Sequence, residues 1–322
     1  MIEEFKDPPE QKEEEPKAEV PRPFSTISPI TAAFIALVGI FLLYQFGGAI
    51  LTVAIFGFNF ENADVNMVRM LTMGGQILLM LFPTLLLARY IYRENISTIL
   101  RVKFPSFKEV GIFIVGLILL TPLLQNFLSL QTYALEKLAA VSPFVKNITN
   151  MLDKLDKLVE STYGTLLTSH SVFESSFIIF VVAVIPALCE ETLFRGFVQK
   201  SFEQKLRPFW SILITAVFFG LYHFNPYGLV TLIALGAYFG FAAYMSNSIF
   251  VPMALHFFNN LIAVLAFLFL GNDELIKTTV TTKQYIIPQI ISFVMFATLF
   301  FAYIIFIKTN YNKIVSNKKE VL

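Results

Sequence analysis

Glu190 and Glu191 stand side by side in an apolar run, Ile185-Pro186-Ala187-Leu188-Cys189-Glu190-Glu191-Thr192-Leu193-Phe194-Arg195-Gly196-Phe197, with Arg195 four positions after the second carboxylate. His223 closes another apolar run four residues after Phe219, and His256 and Asn260 sit four apart inside a third. The chain has 3 histidines, and two of them lie in these runs. An ionisable side chain at bilayer depth costs on the order of 2.5–3.5 kcal/mol on insertion scales, so such groups face a bundle interior and mark function. A carboxylate paired with a neutral imidazole can act as general base on water. A second imidazole with a carboxamide can donate hydrogen bonds to an oxyanion as it forms. That combination hydrolyses an amide without a covalent intermediate. Glu190, His223 and His256 are also acceptable zinc ligands, and zinc would lower the pKa of a bound water. Residue types alone do not choose between the two chemistries.

Spacing divides the work among these groups. Glu191 and Arg195 share a helix face and can pair, each offsetting the other's burial. Glu190 lies about 100° around the same helix, free to point elsewhere. His256 and Asn260 present an imidazole and a carboxamide to one space, and Phe219 stacks its ring beside His223. Taken singly, the Glu–Arg pair reads as a structural lock, a buried histidine as a packing residue and Asn260 as interhelical glue. Their coincidence in depth favours function: at a rise of about 1.5 Å per residue, Glu190 lies about 15 Å from Lys200, His256 about 13 Å from Asn247 and His223 about 20 Å from Pro208. The excess for His223 implies a tilted helix or one broken near Pro226 and Gly228. No His-Glu-x-x-His helix, Gly-x-Ser-x-Gly elbow or Walker loop is present.

These groups need helices to carry them, and the composition supplies them. Of 322 residues, 56% are apolar and only 15% charged, with a formal charge of +1. Ordinary soluble domains carry about 25% charged residues, so a soluble enzyme is excluded, and no basic stripe marks a nucleic-acid partner. The single cysteine, Cys189, excludes an intramolecular disulfide and a cysteine zinc cage. Residues 1–27 hold 8 acidic and 4 basic residues with 5 prolines and read as a disordered acidic tail rather than a signal peptide. Apolar runs of about 20 residues suffice to cross the hydrocarbon, and eight are expected, at about 29–57, 68–91, 109–131, 173–197, 209–224, 228–246, 248–270 and 285–307. No period-2 alternation is present, so the class is all-α: a polytopic membrane helix bundle of about eight transmembrane helices, a domain at 28–308 followed by a basic tail at 309–322. Segments on the side of the termini carry 17 Lys and Arg against 7 on the other, which places both termini in the cytoplasm. In the loop 133–170, Met151, Leu152, Leu155 and Leu158 recur at helical spacing, as in an amphipathic helix on the outer leaflet; a solvated linker is the plainer reading.

Glu190-Glu191-x-x-x-Arg195, Phe219-x-x-x-His223 and His256-x-x-x-Asn260, in that order on successive helices, resemble the three motifs of the CAAX prenyl protease and bacteriocin-processing (CPBP, or Abi) intramembrane proteases over about 173–268. The resemblance implies that Glu190 with His223 activates the water, His256 and Asn260 stabilise the oxyanion, and Glu191 with Arg195 shapes the site, with Phe219 beside them. It favours a cofactor-free mechanism, with zinc on Glu190, His223 and His256 as the alternative. It implies an integral protein of a bacterial cytoplasmic (inner) membrane acting on a membrane-associated or lipidated peptide or protein substrate in the lipid bilayer. From other classes come a non-catalytic membrane scaffold or immunity protein and a secondary transporter; transport is disfavoured by the lack of an internal repeat.

Overall fold

A computed structural model of the chain describes residues 25–58, 63–93, 96–270 and 286–315. Most of the expected acidic tail, 1–24, and the last part of the basic tail, 316–322, lie outside the described residues. Among the described residues ten helices follow one another: α1 (Pro29–Phe56), α2 (Val65–Tyr92), the short α3 (Ile96–Ile99), α4 (Phe107–Val141), α5 (Pro143–Leu167), α6 (Val172–Glu203), α7 (Pro208–Tyr222), α8 (Leu229–Ser246), α9 (Phe250–Leu270) and α10 (Ile286–Val315). No strand occurs among the described residues. Among the described residues seven helices are long and apolar enough to cross a membrane, namely α1, α2, α4, α6, α8, α9 and α10, while α7 has only 15 residues. The architecture is an all-α polytopic bundle.

Local sequence explains where these helices start and stop. Asp64 accepts from Met67 N at 3.0 Å to open α2, and Ser106 with Glu109 forms a reciprocal capping box at the start of α4. Pro29, Pro143 and Pro208 occupy first turns, where no N–H is missed. Gly57 ends α1 at φ 74°, a conformation that costs glycine little, and Asn247 does the same for α8 in the left-handed region. The third expected span, 109–131, is extended: α4 continues to Val141, about 50 Å of helix at 1.5 Å per residue. The loop expected at 133–170 is largely helix α5. Its Met151, Leu155 and Leu158 face away from the bundle.

Among the described residues two large apolar cores form, one shared by α1, α2, α6 and α7, the other by α4, α8, α9 and α10, with a smaller third of Leu167, Ile178, Val264 and Phe267. The site lies on the seam, where Phe219 of the first core meets Phe239 of the second, ring centroids 6.5 Å apart. Helix α8 comes close to α6 and α7 at Gly236 and Gly240. Cβ atoms there would lie 2.9 Å from Phe219 and 2.8 Å from Gln199. The bare backbone lets Arg195 Nη2 donate to Gly236 O at 3.1 Å and Gln199 Nε2 to Gly240 O at 2.9 Å, so an i, i+4 pair on α6 reads an i, i+4 pair of glycines on α8.

Candidate active site

Helix α6 is not a uniform α-helix: it widens to π-type turns at Phe180–Val184 and Thr192–Val198, on either side of Pro186 and the two carboxylates. Such bulges rotate the faces that follow them and recur at functional sites. Here Glu190 and Glu191 point to opposite neighbours. Glu190 faces the α1–α2 side, where Tyr44, Tyr163 and Tyr222 lie within its electrostatic reach. Glu191 is fully buried and turns toward α9.

His223 is the residue just beyond α7. Its Nδ1 lies 2.7 Å from the Phe219 carbonyl. Because a carbonyl only accepts, Nδ1 carries the proton and donates, which presents Nε2 to the other side. Nε2 stands 3.8 Å from Glu190 Oε2, beyond direct hydrogen bonding but within reach of one shared water. Glu190 Oε2 is buried and makes no hydrogen bond within the protein. The tilt or break anticipated near Pro226 takes the form of a helix end. Helix α7 stops at Tyr222, and a turn through Asn225, whose Oδ1 accepts from Gly228 N at 2.7 Å, leads into α8.

His256 belongs to a second cluster. Glu191 Oε1 accepts both from Arg195 Nη1 and from His256 Nδ1, each at 2.7 Å. The Arg195 guanidinium lies over the Phe219 ring at 4.3 Å, and the His256 ring stacks on Phe239 with centroids 5.6 Å apart. Burying two charges is costly unless geometry and extra bonds compensate. Here the Gly236 carbonyl and three aromatic faces complete the arginine's surroundings. The carboxylate sets the His256 tautomer, leaving Nε2 without a hydrogen-bond partner among the described residues.

Asn260 does not hydrogen-bond His256. Its Nδ2 donates to Val182 O at 3.0 Å, and its Oδ1 accepts from Asn259 Nδ2 at 3.2 Å. Val182 stands four residues before Pro186, which has no N–H to offer the carbonyl behind it. One hydrogen of the Asn260 amide therefore supplies a bond that proline withholds, and the other is uncommitted.

Phe219 joins the two clusters. Its carbonyl holds His223, and its ring lies 4.7 Å from the His223 ring and 5.9 Å from the His256 ring, centroid to centroid. Glu190 and His223 are thus brought together, His256 is brought to Glu191 and Arg195, and Asn260 reaches the backbone of α6. Spacing anticipated the Glu191–Arg195 pair but not its extension to His256, which depends on how α9 packs against α6. The Asn260–Val182 bond had a visible cue, Pro186, whose missing donor demands an outside partner.

Among the described residues no group of three His, Cys, Asp or Glu side chains gathers at metal-holding spacing. The donor set of the zinc alternative is divided. Glu190 and His223 face one another, while His256 turns its Nδ1 to Glu191.

Helix α5 closes over this end of the bundle. Arg69 of α2, 1% exposed, donates through Nε to Leu166 O at 2.9 Å, through Nη2 to Thr168 O and through Nη1 to Asn66 Oδ1 at 2.6 Å, capping the last turn of α5. Tyr227, just after the His223 turn, donates to Asp153 Oδ1 at 2.5 Å. Burial first, and then the bonded Asp153 carboxylate, push the Tyr227 phenol above its usual range, which keeps it a donor.

Residues 172–262 match the family model described as type II CAAX prenyl endopeptidase Rce1-like. No curated protein and no solved structure matches the chain. The matched stretch runs from the start of α6 into α9 and contains Glu190, Glu191, Arg195, Phe219, His223, His256 and Asn260. Over that stretch the chain is similar to the CAAX-type membrane proteases of the CPBP family.

Proposed function

We propose that the chain is an intramembrane endopeptidase that hydrolyses a peptide bond with a water held between Glu190 and His223. The observation that carries this reading is the 3.8 Å approach of His223 Nε2 to the unpartnered Glu190 Oε2, with His223 oriented by the Phe219 carbonyl. Glu190 takes a proton from the water as its oxygen attacks the scissile carbonyl carbon. That proton then passes to the departing amine nitrogen as the C–N bond breaks. The carbonyl oxygen, now an oxyanion, faces donors from α9: the second amide hydrogen of Asn260, and His256 Nε2 when that nitrogen is protonated. In that state the His256 ring is an imidazolium, and the Glu191 carboxylate at Nδ1 supports its charge. Arg195 neutralises Glu191 in turn, holding the cluster rigid.

The substrate read from this site is a peptide embedded in or tethered to the bilayer, and the chain is read as an inner-membrane protein with both termini in the cytoplasm. General acid–base catalysis contributes roughly 10²–10⁴-fold, so Glu190→Gln and His223→Ala should each lower cleavage of a membrane-tethered peptide by at least about 100-fold, with unfolding temperature in detergent little changed. Undiminished cleavage by Glu190→Gln would sink the mechanism. Activity lost to a chelator and restored by zinc would move the reading to the metal form. A phenotype retained by the Glu190→Gln/His223→Ala double variant would move it to a scaffold.

A further inference from the structure

A cleft of about 210 Å³ lies between α1 and α2, walled by Gly48, Leu51 and Thr52 on one side and Leu71, Thr72 and Gly75 on the other. Its two threonine hydroxyls are already satisfied. Thr52 Oγ1 donates to Gly48 O and Thr72 Oγ1 to Val68 O, each at 2.9 Å within its own helix. An apolar group entering the cleft would therefore strand no hydroxyl. The glycines create the space: a Cβ on Gly48 would meet nothing within 4 Å, and one on Gly75 only Tyr44 Cε2 at 3.9 Å.

Two further wall residues connect the cleft to the carboxylate–imidazole pair. Gln45 Nε2 donates to Tyr222 O at 3.4 Å, the carbonyl just before His223. Tyr44 lies beside Gln76 and within electrostatic reach of Glu190. Gln76 is 7% exposed, and its Oε1 has no hydrogen-bond partner. A ligand spanning from the cleft to Glu190 would thus have an apolar end and a polar one, as an amino-acid residue does. A cavity of about 150 Å³ takes benzene, and drug-sized pockets begin near 300 Å³. The volume suits one large aliphatic or aromatic side chain and is too small for a whole lipid tail.

We propose that the α1–α2 cleft is a specificity subsite that receives one bulky apolar side chain of the substrate peptide, beside the bond presented to Glu190 and His223. The inference rests on the protease reading above, and its test is separable from that reading because binding is measured without turnover. Single-spanning peptides with photo-leucine scanned along the sequence are irradiated with the Glu190→Gln chain in detergent, and labelled residues are mapped. One register should label within 44–56 or 68–75, and Gly48→Leu, which fills the cleft, should cut that labelling at least fivefold. In the otherwise native chain, Gly48→Leu should lower the ratio of cleavage of Leu-bearing over Ala-bearing peptides at least tenfold. Gly75→Ile serves as the second variant should Gly48→Leu fail to fold. Labelling confined to other segments, equal labelling in the filled variant, or labelling of the cleft by a photoreactive acyl lipid but by no peptide would each overturn the subsite. Loss of cleavage throughout would count against the protease reading and leave the labelling map to judge the subsite.

Discussion

At the scale of single residues, adjacency on the sequence separates rather than unites the two carboxylates. Glu190 is partly exposed and turns its Oε2 toward His223, whereas Glu191 is shut between an arginine and a histidine. On the reading proposed above the pair divides into one reactive and one supporting group, and substitutions should tell them apart. Arg195→Met leaves Glu191 as an uncompensated buried charge and is expected to cost about 3–5 kcal/mol, the usual penalty for breaking a buried pair. Adding Glu191→Gln should recover most of that loss, since Gln retains an oxygen to accept from His256 Nδ1. Thermal unfolding of the single and double variants in detergent checks this; a double variant no more stable than Arg195→Met alone contradicts it.

At the scale of elements, the arrangement of the proposed site depends on how closely α8 approaches α6 and α7. The expected face-sharing of His256 and Asn260 along α9 holds as geometry, but α9 spends the two side chains differently, one on Glu191 and one on the carbonyl freed by Pro186. Helical spacing shows which residues share a face and not which neighbour that face meets. Gly236→Ala should expose this dependence. Its Cβ would press to 2.9 Å from Phe219 Cδ1 and 3.4 Å from the Ala216 backbone, so the ring between the two histidines must shift. A stability loss of about 1–3 kcal/mol is expected for such overpacking, with a fall in kcat of at least tenfold and a smaller change in KM. Unchanged kcat would show that Phe219 does not position the pair.

At the scale of the whole molecule, the polar site lies on the seam between the two larger apolar cores, with α5 held alongside by Arg69. With seven membrane-length helices and α7 as a short eighth crossing, both ends of the chain should lie on one face of the membrane. Cysteines placed at Lys12 and Lys318 should react with an impermeant maleimide only from the cytoplasm, and one at Lys154 only from outside. Cys189 is buried and leaves the background silent. Opposite labelling of the two termini would contradict eight crossings.

Much of this architecture was legible in the sequence because lipid imposes a simple rule: backbone groups must pair internally, so long apolar runs become helices, and costly polar groups within them turn inward. That rule sets the helical class and the order of the apolar helices, the Glu191–Arg195 pair and the list of candidate site residues. It carries no information on which helices touch. The branching of Glu191 to His256, the diversion of Asn260 to Val182 and the cleft at Gly48 and Gly75 all arise between different helices. Packing decides them, through where glycines admit close approach and where proline and π-type turns re-aim a face.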